Sequence, residues 1–240
     1  MSDPMYRSYA TAGRAIDRGY FDAGLRQFML RIYNYMSAGL VVTGLVAFLA
    51  SSSPALMQAI FTTPLKWVVM LAPLAFVMVL SFGIQRLSFA TAQLIFWVYC
   101  AAMGLSLSAI FLVFTGASIA LTFFVTAATF LSMSLWGYTT KRDLSGMGSF
   151  LMMGLFGIII ASLANLFFAS SALQFAISII GVLIFTGLTA YDTQRLKEVY
   201  ADGFDRESEG KLALMGALTL YLDFVNLFMF LLHFMGQRDE

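Results

Sequence analysis

Seven long apolar stretches divide the chain, and short polar segments separate them. The stretches cover residues 28–50, 65–84, 89–114, 117–137, 147–169, 174–192 and 212–235. A helix that crosses the hydrocarbon core of a bilayer needs about 20 apolar residues, so each stretch is long enough to span it. Only Thr115 and Gly116 separate the third stretch from the fourth, which predicts a tight helical hairpin. The pattern predicts an all-α, polytopic membrane protein with seven transmembrane helices.

The segment before the first apolar stretch is polar and rich in arginine. The stretch that follows it is too long for the apolar part of a signal peptide, and no small-residue cleavage site is clear. We interpret residues 1–27 as a cytoplasmic N-terminal tail with little fixed structure, and residues 28–240 as a seven-helix transmembrane domain.

The composition supports the same class of protein. Hydrophobic residues make up 60% of the 240 residues, and charged residues only 11%. A soluble domain carries about a quarter charged residues, so the expected surroundings of this chain are the lipid bilayer. The net charge of +1 gives no basic surface for nucleic acid. The single cysteine, Cys100, excludes an internal disulfide and a cysteine-based zinc site.

The basic residues predict how the chain is oriented in the membrane. All of them except Lys66 and Arg238 lie in the N-terminal tail, just inside the first span, or after the second, fourth and sixth spans. Segments rich in lysine and arginine stay on the cytoplasmic side. We therefore expect the N-terminus in the cytoplasm and, with an odd number of spans, the C-terminus outside.

One acidic residue, Asp223, lies deep in the last apolar stretch, in TLYLDFVNLFMF (219–230). It follows Lys211 by twelve residues, which places it about 18 Å along the helix from that end. Thr219 and Asn226 are four residues before it and three after it, so all three side chains share one helical face. A charged group at this depth costs about 2.5–3.5 kcal/mol on insertion scales and normally faces the protein interior. We therefore predict that the seventh span is the central helix of the bundle.

A second acidic residue, Asp192, lies at the cytoplasmic end of the sixth span. If Asp192 and Asp223 meet, their carboxylates cannot both ionise cheaply in a poorly hydrated site, and they would titrate as a unit. Such a pair fits a proton sensor, a cation site, or both, and its hard oxygen ligands suit Ca²⁺ better than zinc. The alternative is a buried hydrogen-bond anchor that fixes helix packing.

The candidate counter-charge is Arg86, at the cytoplasmic end of the second span. It would latch the aspartate pair in a closed state. The alternative is an arginine that reaches to the lipid headgroups, which is common at the ends of membrane helices.

Three segments resemble the Bax inhibitor family, also called transmembrane Bax inhibitor motif proteins. They are LYLDFVNLF (220–228), AYDTQRLK (190–197) and YTTKRDLSGMGSFLMMG (138–154), and the resemblance covers roughly 65–235. It implies seven helices with the last surrounded by the other six. The N-terminal tail is similar to that of bacterial members, which implies a location in the bacterial inner membrane.

The resemblance also implies a function. Some members are pH-sensitive calcium leak channels, in which an aspartate pair matching Asp192 and Asp223 is the proton sensor and an arginine matching Arg86 interacts with it. Other bacterial members are similar to modulators of a membrane-bound protease.

Two functions therefore stay open. The first is a pH-sensitive calcium-permeable leak channel that needs no cofactor, with Ca²⁺ as the permeant or bound ion. The second is a regulatory partner of a membrane-bound protease or other membrane complex, without transport activity. We do not expect an enzyme, because the sequence has neither the GxSxG nor the HExxH pattern.

Overall fold

The computed structural model describes residues 4–200 and 205–239, with side chains from residue 22 onwards. The described residues form eight α-helices and one 3-10 turn over Ser108–Leu112. The helices are α1 Pro4–Ser51, α2 Pro54–Phe61, α3 Leu65–Gly83, α4 Phe89–Leu107, α5 Gly116–Thr139, α6 Ser145–Phe168, α7 Ser171–Val199 and α8 Arg206–Met235.

Seven of these helices are long and apolar enough to cross a membrane, so the predicted all-α polytopic fold is confirmed within the described residues. The remaining helix, α2, has eight residues and is too short to span. Ser53 caps its N-terminus by accepting a hydrogen bond from the Leu56 amide, and Pro54 occupies a first-turn position where proline is favoured. A search for long apolar stretches does not detect such an element.

The first helix differs from the sequence-based expectation. It begins at Pro4, so the boundary drawn between residues 27 and 28 lies inside α1, and residues 4–27 are helical rather than without fixed structure. Proline is favoured in the first turn of a helix, and no further proline follows until Pro54. The part of α1 that is apolar enough to span the membrane begins at Asp22.

The predicted tight hairpin between the third and fourth spans is confirmed. The 3-10 turn ends at Leu112, and α5 begins at Gly116 with Thr115 as its N-cap. The C-terminal segment pairs with this turn: the Thr115 amide donates to the Gln237 carbonyl, and the Asp239 amide donates to the Val113 carbonyl, both at 3.1 Å. The end of the chain therefore fixes the hairpin at this end of the bundle.

The last span is central, as predicted. In the 18-residue apolar stretch of α8, 67% of the residues are buried, against 11% in the corresponding stretches of α3 and α6. Its main neighbours are α1, α4, α5 and α7, whereas α3 packs chiefly on α4 and α6 chiefly on α7. Close approach of α5 to α7 depends on Gly137, because any side chain there would collide with the Ala190 carbonyl.

Candidate functional site

Asp192 and Asp223 are brought together by the contact between α7 and α8. The two helices are consecutive spans that run in opposite directions, and Leu196 of α7 lies against Gly216 of α8. Side chains on a helix lean toward its N-terminus, so Asp192 and Asp223 lean toward each other across this interface. Their carboxyl groups interact directly.

The pair is buried, and part of it is unpaired. Asp223 is only 4% exposed, while Asp192 is half-buried. Apart from the carboxyl group of Asp192, no described residue offers a hydrogen-bond partner to Oδ2 of Asp223. A buried polar atom without a hydrogen bond costs free energy. The arrangement leaves one carboxylate oxygen able to take up a proton or contact a cation.

The aspartates lie where two cavities meet. The larger, of about 650 Å³, is lined by Asp192, Thr219, Asp223 and Asn226, and on its far side by apolar side chains of α6. The smaller, of about 200 Å³, is lined by Asp192, Thr219 and Arg195, together with residues of α7 and α8 nearer the loop that joins them. Asp192 and Thr219 belong to both cavities, so the pair stands between them.

Thr219 and Asn226 share the cavity face of α8 with Asp223, as the helical spacing predicts. The Thr219 hydroxyl donates to the Met215 carbonyl at 3.1 Å, and the Asn226 amide donates to the Leu222 carbonyl at 2.8 Å. Both donors are thus used within the helix. The oxygen atoms of these two side chains add neutral acceptors to the wall that carries the carboxylates.

The structure places Arg86 apart from the aspartates. Arg86 lies exposed in the turn between α3 and α4 and lines neither cavity around the pair. The cation whose charge acts on Asp192 is Arg195, which lies three residues further along α7. Arg195 was not singled out from the sequence, although the spacing of three residues puts it on the face of Asp192. The Arg86 latch stays a prediction.

The donor set around the pair is small. The described residues contain no group of three or more histidine, cysteine, aspartate or glutamate side chains that could hold a metal ion. Ca²⁺ takes six to eight oxygen ligands, so two carboxylates would leave most of the coordination to carbonyls, hydroxyls and water. Such a set suits an ion that is held briefly rather than a structural metal.

Two other acidic residues, Asp143 and Asp205, lie outside the spans and accept hydrogen bonds from backbone amides at the start of a helix. The Ser145 amide donates to the Asp143 carboxylate at 2.8 Å, and the Glu207 and Ser208 amides donate to that of Asp205 at 3.1 Å. The pKa of Asp143 is lowered first by the side chain and then by the amide of Ser145, and the pKa of Asp205 is lowered first by the side chain and then by the amide of Ser208. Both residues have local structural roles, because each orders the start of a helix.

Fold and site together define a class: a polytopic helical membrane protein whose central helix carries a buried acid next to a second acid on the neighbouring helix. The family model described as "Inhibitor of apoptosis-promoting Bax1" matches residues 25–240. The chain therefore belongs to the Bax inhibitor family, and the predicted resemblance is confirmed.

Bacterial proteins with high identity match nearly the whole chain. Inner membrane protein YbhL of Escherichia coli K12 is 50% identical over 219 residues, which cover 90% of this chain and 94% of that protein. An uncharacterized protein of Rickettsia prowazekii is 48% identical over 220 residues, 92% of this chain and 93% of its own length. An uncharacterized protein of Caulobacter vibrioides is 48% identical over 229 residues, 91% of this chain and 92% of its own length.

Proposed function

We propose that the protein is a pH-sensitive, calcium-permeable leak channel of the bacterial inner membrane, controlled by Asp192 and Asp223. The observation that carries this proposal is the position of the pair at the junction of two cavities, where Asp192 lines both and Asp223 lines the larger. An ionisable group within a membrane span is costly and usually marks an ion or proton pathway. Oδ2 of Asp223, to which no described donor bonds, supports the same assignment because Asp223 also lines the larger cavity.

In this proposal the ionised carboxylates attract a divalent cation to the junction of the cavities. When the pH falls, protonation removes their charge, lowers their affinity for the cation and favours a closed state. Arg195 stands at the wall of the smaller cavity, where its positive charge opposes the approach of cations. The rate of calcium passage would then depend on the balance between the two carboxylates and this arginine.

The proposed orientation puts the smaller cavity on the cytoplasmic side. The turn after α3, the segment between α5 and α6, the end of α7 and the start of α8 lie at the same end of an alternating bundle. They hold seven basic residues: Arg86, Lys141, Arg142, Arg195, Lys197, Arg206 and Lys211. This distribution is typical of the cytoplasmic side of a membrane protein. The E. coli relative is an inner membrane protein, which supports the same membrane for this chain.

The test is calcium entry into proteoliposomes that contain a calcium dye, measured from pH 5 to pH 8. Wild-type protein should give a flux that falls as the pH falls, and Asp192→Asn and Asp223→Asn should each lose most of the flux or its pH dependence. Asp143→Asn is the matched control, because it makes the same chemical change in an exposed acid outside the spans. No flux at any pH in folded wild-type protein would overturn the proposal.

A further inference from the structure

A long cleft separates α1 from α5 on the opposite side of α8 from the aspartate cavities. It consists of three neighbouring cavities of about 370, 450 and 410 Å³. Leu131 lines the first and the second, while Leu40 and Gly44 line the second and the third, so the cavities are continuous. We call this feature, from Arg26 to Gly44 on α1 and along the facing side of α5, the α1–α5 cleft.

The length and the apolar walls of the cleft suit a lipid acyl chain. Eighteen residues separate Arg26 from Gly44, which corresponds to about 27 Å along α1, close to the roughly 30 Å thickness of the hydrocarbon core. The middle of the cleft is walled by leucine, phenylalanine and alanine side chains. Its buried hydroxyls are already paired, because Tyr33 and Ser134 bond to each other and Ser134 bonds to Thr193 at 2.9 Å. The polar side chains that line the cleft are therefore few, and its middle offers mainly apolar contacts.

One charged group stands at its end. Arg26 lines the first cavity and is exposed, and no acidic side chain of the described residues pairs with it. Two other cations at the same end of the bundle are paired: Arg31 lies 3.3 Å from Glu209, and Lys211 lies 2.9 Å from Glu207. Arg26 is therefore a cation with free donors at the mouth of an apolar cleft.

We propose that the α1–α5 cleft binds one anionic phospholipid of the leaflet that contacts Arg26. The guanidinium binds the lipid phosphate, since its forked donors match phosphate oxygens, and an acyl chain lies along the first two cavities. Half of a bilayer with its headgroups is about 20 Å thick, which from Arg26 reaches about fourteen residues along α1, to Leu40. Leu40 lines the second cavity, so the chain would end there.

The bound lipid would contact the central helix. Phe224 of α8 lines the second and third cavities and packs on Phe123 and Phe130 of α5, with ring centroids 5.6 and 5.5 Å apart. It is the neighbour of Asp223 along the chain. An acyl chain in the cleft would fill the open space beside these rings and add contacts to them, so lipid binding should stabilise the bundle.

Lipid retention tests the proposal without any transport measurement. Full-length protein is taken from vesicles of equal phosphatidylglycerol and phosphatidylcholine, and native mass spectrometry gives the ratio of lipid-bound to lipid-free protein. Wild type should retain phosphatidylglycerol in preference to phosphatidylcholine. Arg26→Gln should lower the phosphatidylglycerol ratio about fivefold, the usual effect of one basic side chain at an anionic lipid surface. Arg206→Gln, an exposed cation at the same end outside the cleft, should leave it unchanged.

A second pair of variants tests the position of the acyl chain. A Cβ atom added at Gly44 meets no other atom within 4 Å, and side chains there lean toward the N-terminal part of the cleft, so Gly44→Phe should fill the end of the second cavity. Gly157 of α6 is equally free and lies outside the cleft, so Gly157→Phe is the matched control. Lipid retention should fall in Gly44→Phe only, at an unchanged or higher melting temperature.

Three results would overturn the proposal. Wild type could retain the two lipids equally, Arg206→Gln could lower retention as much as Arg26→Gln, or folded Gly44→Phe could retain lipid as wild type does. The first two would show general attraction to the membrane surface. If Gly44→Phe does not fold, the comparison of Arg26→Gln with Arg206→Gln decides the matter, since both residues are exposed.

Discussion

Two buried polar groups, Tyr221 and Asp223, lie two residues apart on α8 but on different faces, and their surroundings differ. The Tyr221 hydroxyl and the Thr43 hydroxyl bond to each other at 2.7 Å, and Thr43 donates to the Cys100 carbonyl at 2.9 Å. Tyr221 also packs on Tyr99, with ring centroids 5.3 Å apart. Asp223 instead faces the larger of the two cavities, and no described donor bonds to its Oδ2. The first face is closed by hydrogen bonds and packing, and the second stays open.

This difference distinguishes polar groups that stabilise the bundle from those that serve a function. An unpaired atom is not sufficient by itself, because the hydroxyls of Tyr99 and Thr122 also lack hydrogen-bond partners among the described residues. Those hydroxyls are neutral and line neither cavity around the aspartates. Asp223 combines a carboxyl group, an unpaired oxygen and access to a cavity. That combination, rather than burial alone, supports the functional assignment.

The largest expected effect is on the open face. Asp223→Asn should raise the free energy of unfolding by about 2 kcal/mol, because it removes a charge from the membrane interior and its amide can donate to Asp192. The same change should remove the pH-dependent calcium flux. Thermal melting in detergent, together with the proteoliposome flux, measures both quantities. A clear loss of stability would instead identify Asp223 as a packing anchor.

On the closed face, a substitution should lower stability and leave calcium flux unchanged. Thr43→Val removes the partner of the Tyr221 hydroxyl and leaves a buried group unpaired, which should cost about 1–2 kcal/mol of stability. Calcium flux per folded molecule should be unchanged. Tyr221→Phe is the matched variant, and the double variant should be less destabilised than the sum of the two single ones. Additive effects would show that the observed hydrogen bond does not couple these two side chains.

The sequence predicted the spans well because the bilayer imposes a length on every apolar stretch. It also predicted a central α8 and the polar face of Thr219 and Asn226, since helical periodicity determines which side chains share a face. Periodicity within one helix cannot predict the register between two helices. The contact of Asp192 with Asp223 depends on that register, in which Leu196 lies against Gly216.

Other features were missed for physical reasons. The polar part of α1 carries no apolar stretch that could identify it as a helix, and α2 is shorter than any span. Arg86 follows the second span and lies in an exposed turn, and its role as a latch stays a prediction. Arg195 lies three residues after Asp192, so helical spacing alone places it on the same face of α7.

A smaller effect, on the rate of calcium entry, should distinguish the role of Arg195 from that of Arg86. Arg195→Gln removes a positive charge from the wall of the smaller cavity, and this should raise calcium entry about fivefold at low salt. The gain should shrink at high ionic strength, where the charge is screened. Arg86→Gln is the matched control, and flux at two salt concentrations is the measurement. If Arg86→Gln raises the flux and Arg195→Gln does not, the latch predicted from the sequence is supported.

The smallest effect concerns Asp205, which caps the helix that carries both faces. Hydrogen bonds with the Ser208 side chain, and with the amides of Ser208 and Glu207, lower its pKa in the folded protein below the ordinary value of about 3.9. A lowered pKa means that the cap stabilises the fold fully above this ordinary value and stops doing so as the pH falls through the folded pKa. Asp205→Ala should therefore lower the melting temperature slightly at pH 7, and the difference from wild type should vanish near pH 3. Asp205→Asn keeps an acceptor for the amides and should retain most of the stability at both pH values. A difference between wild type and Asp205→Ala that persists unchanged at pH 3 would show that ionised Asp205 is not what holds the start of α8.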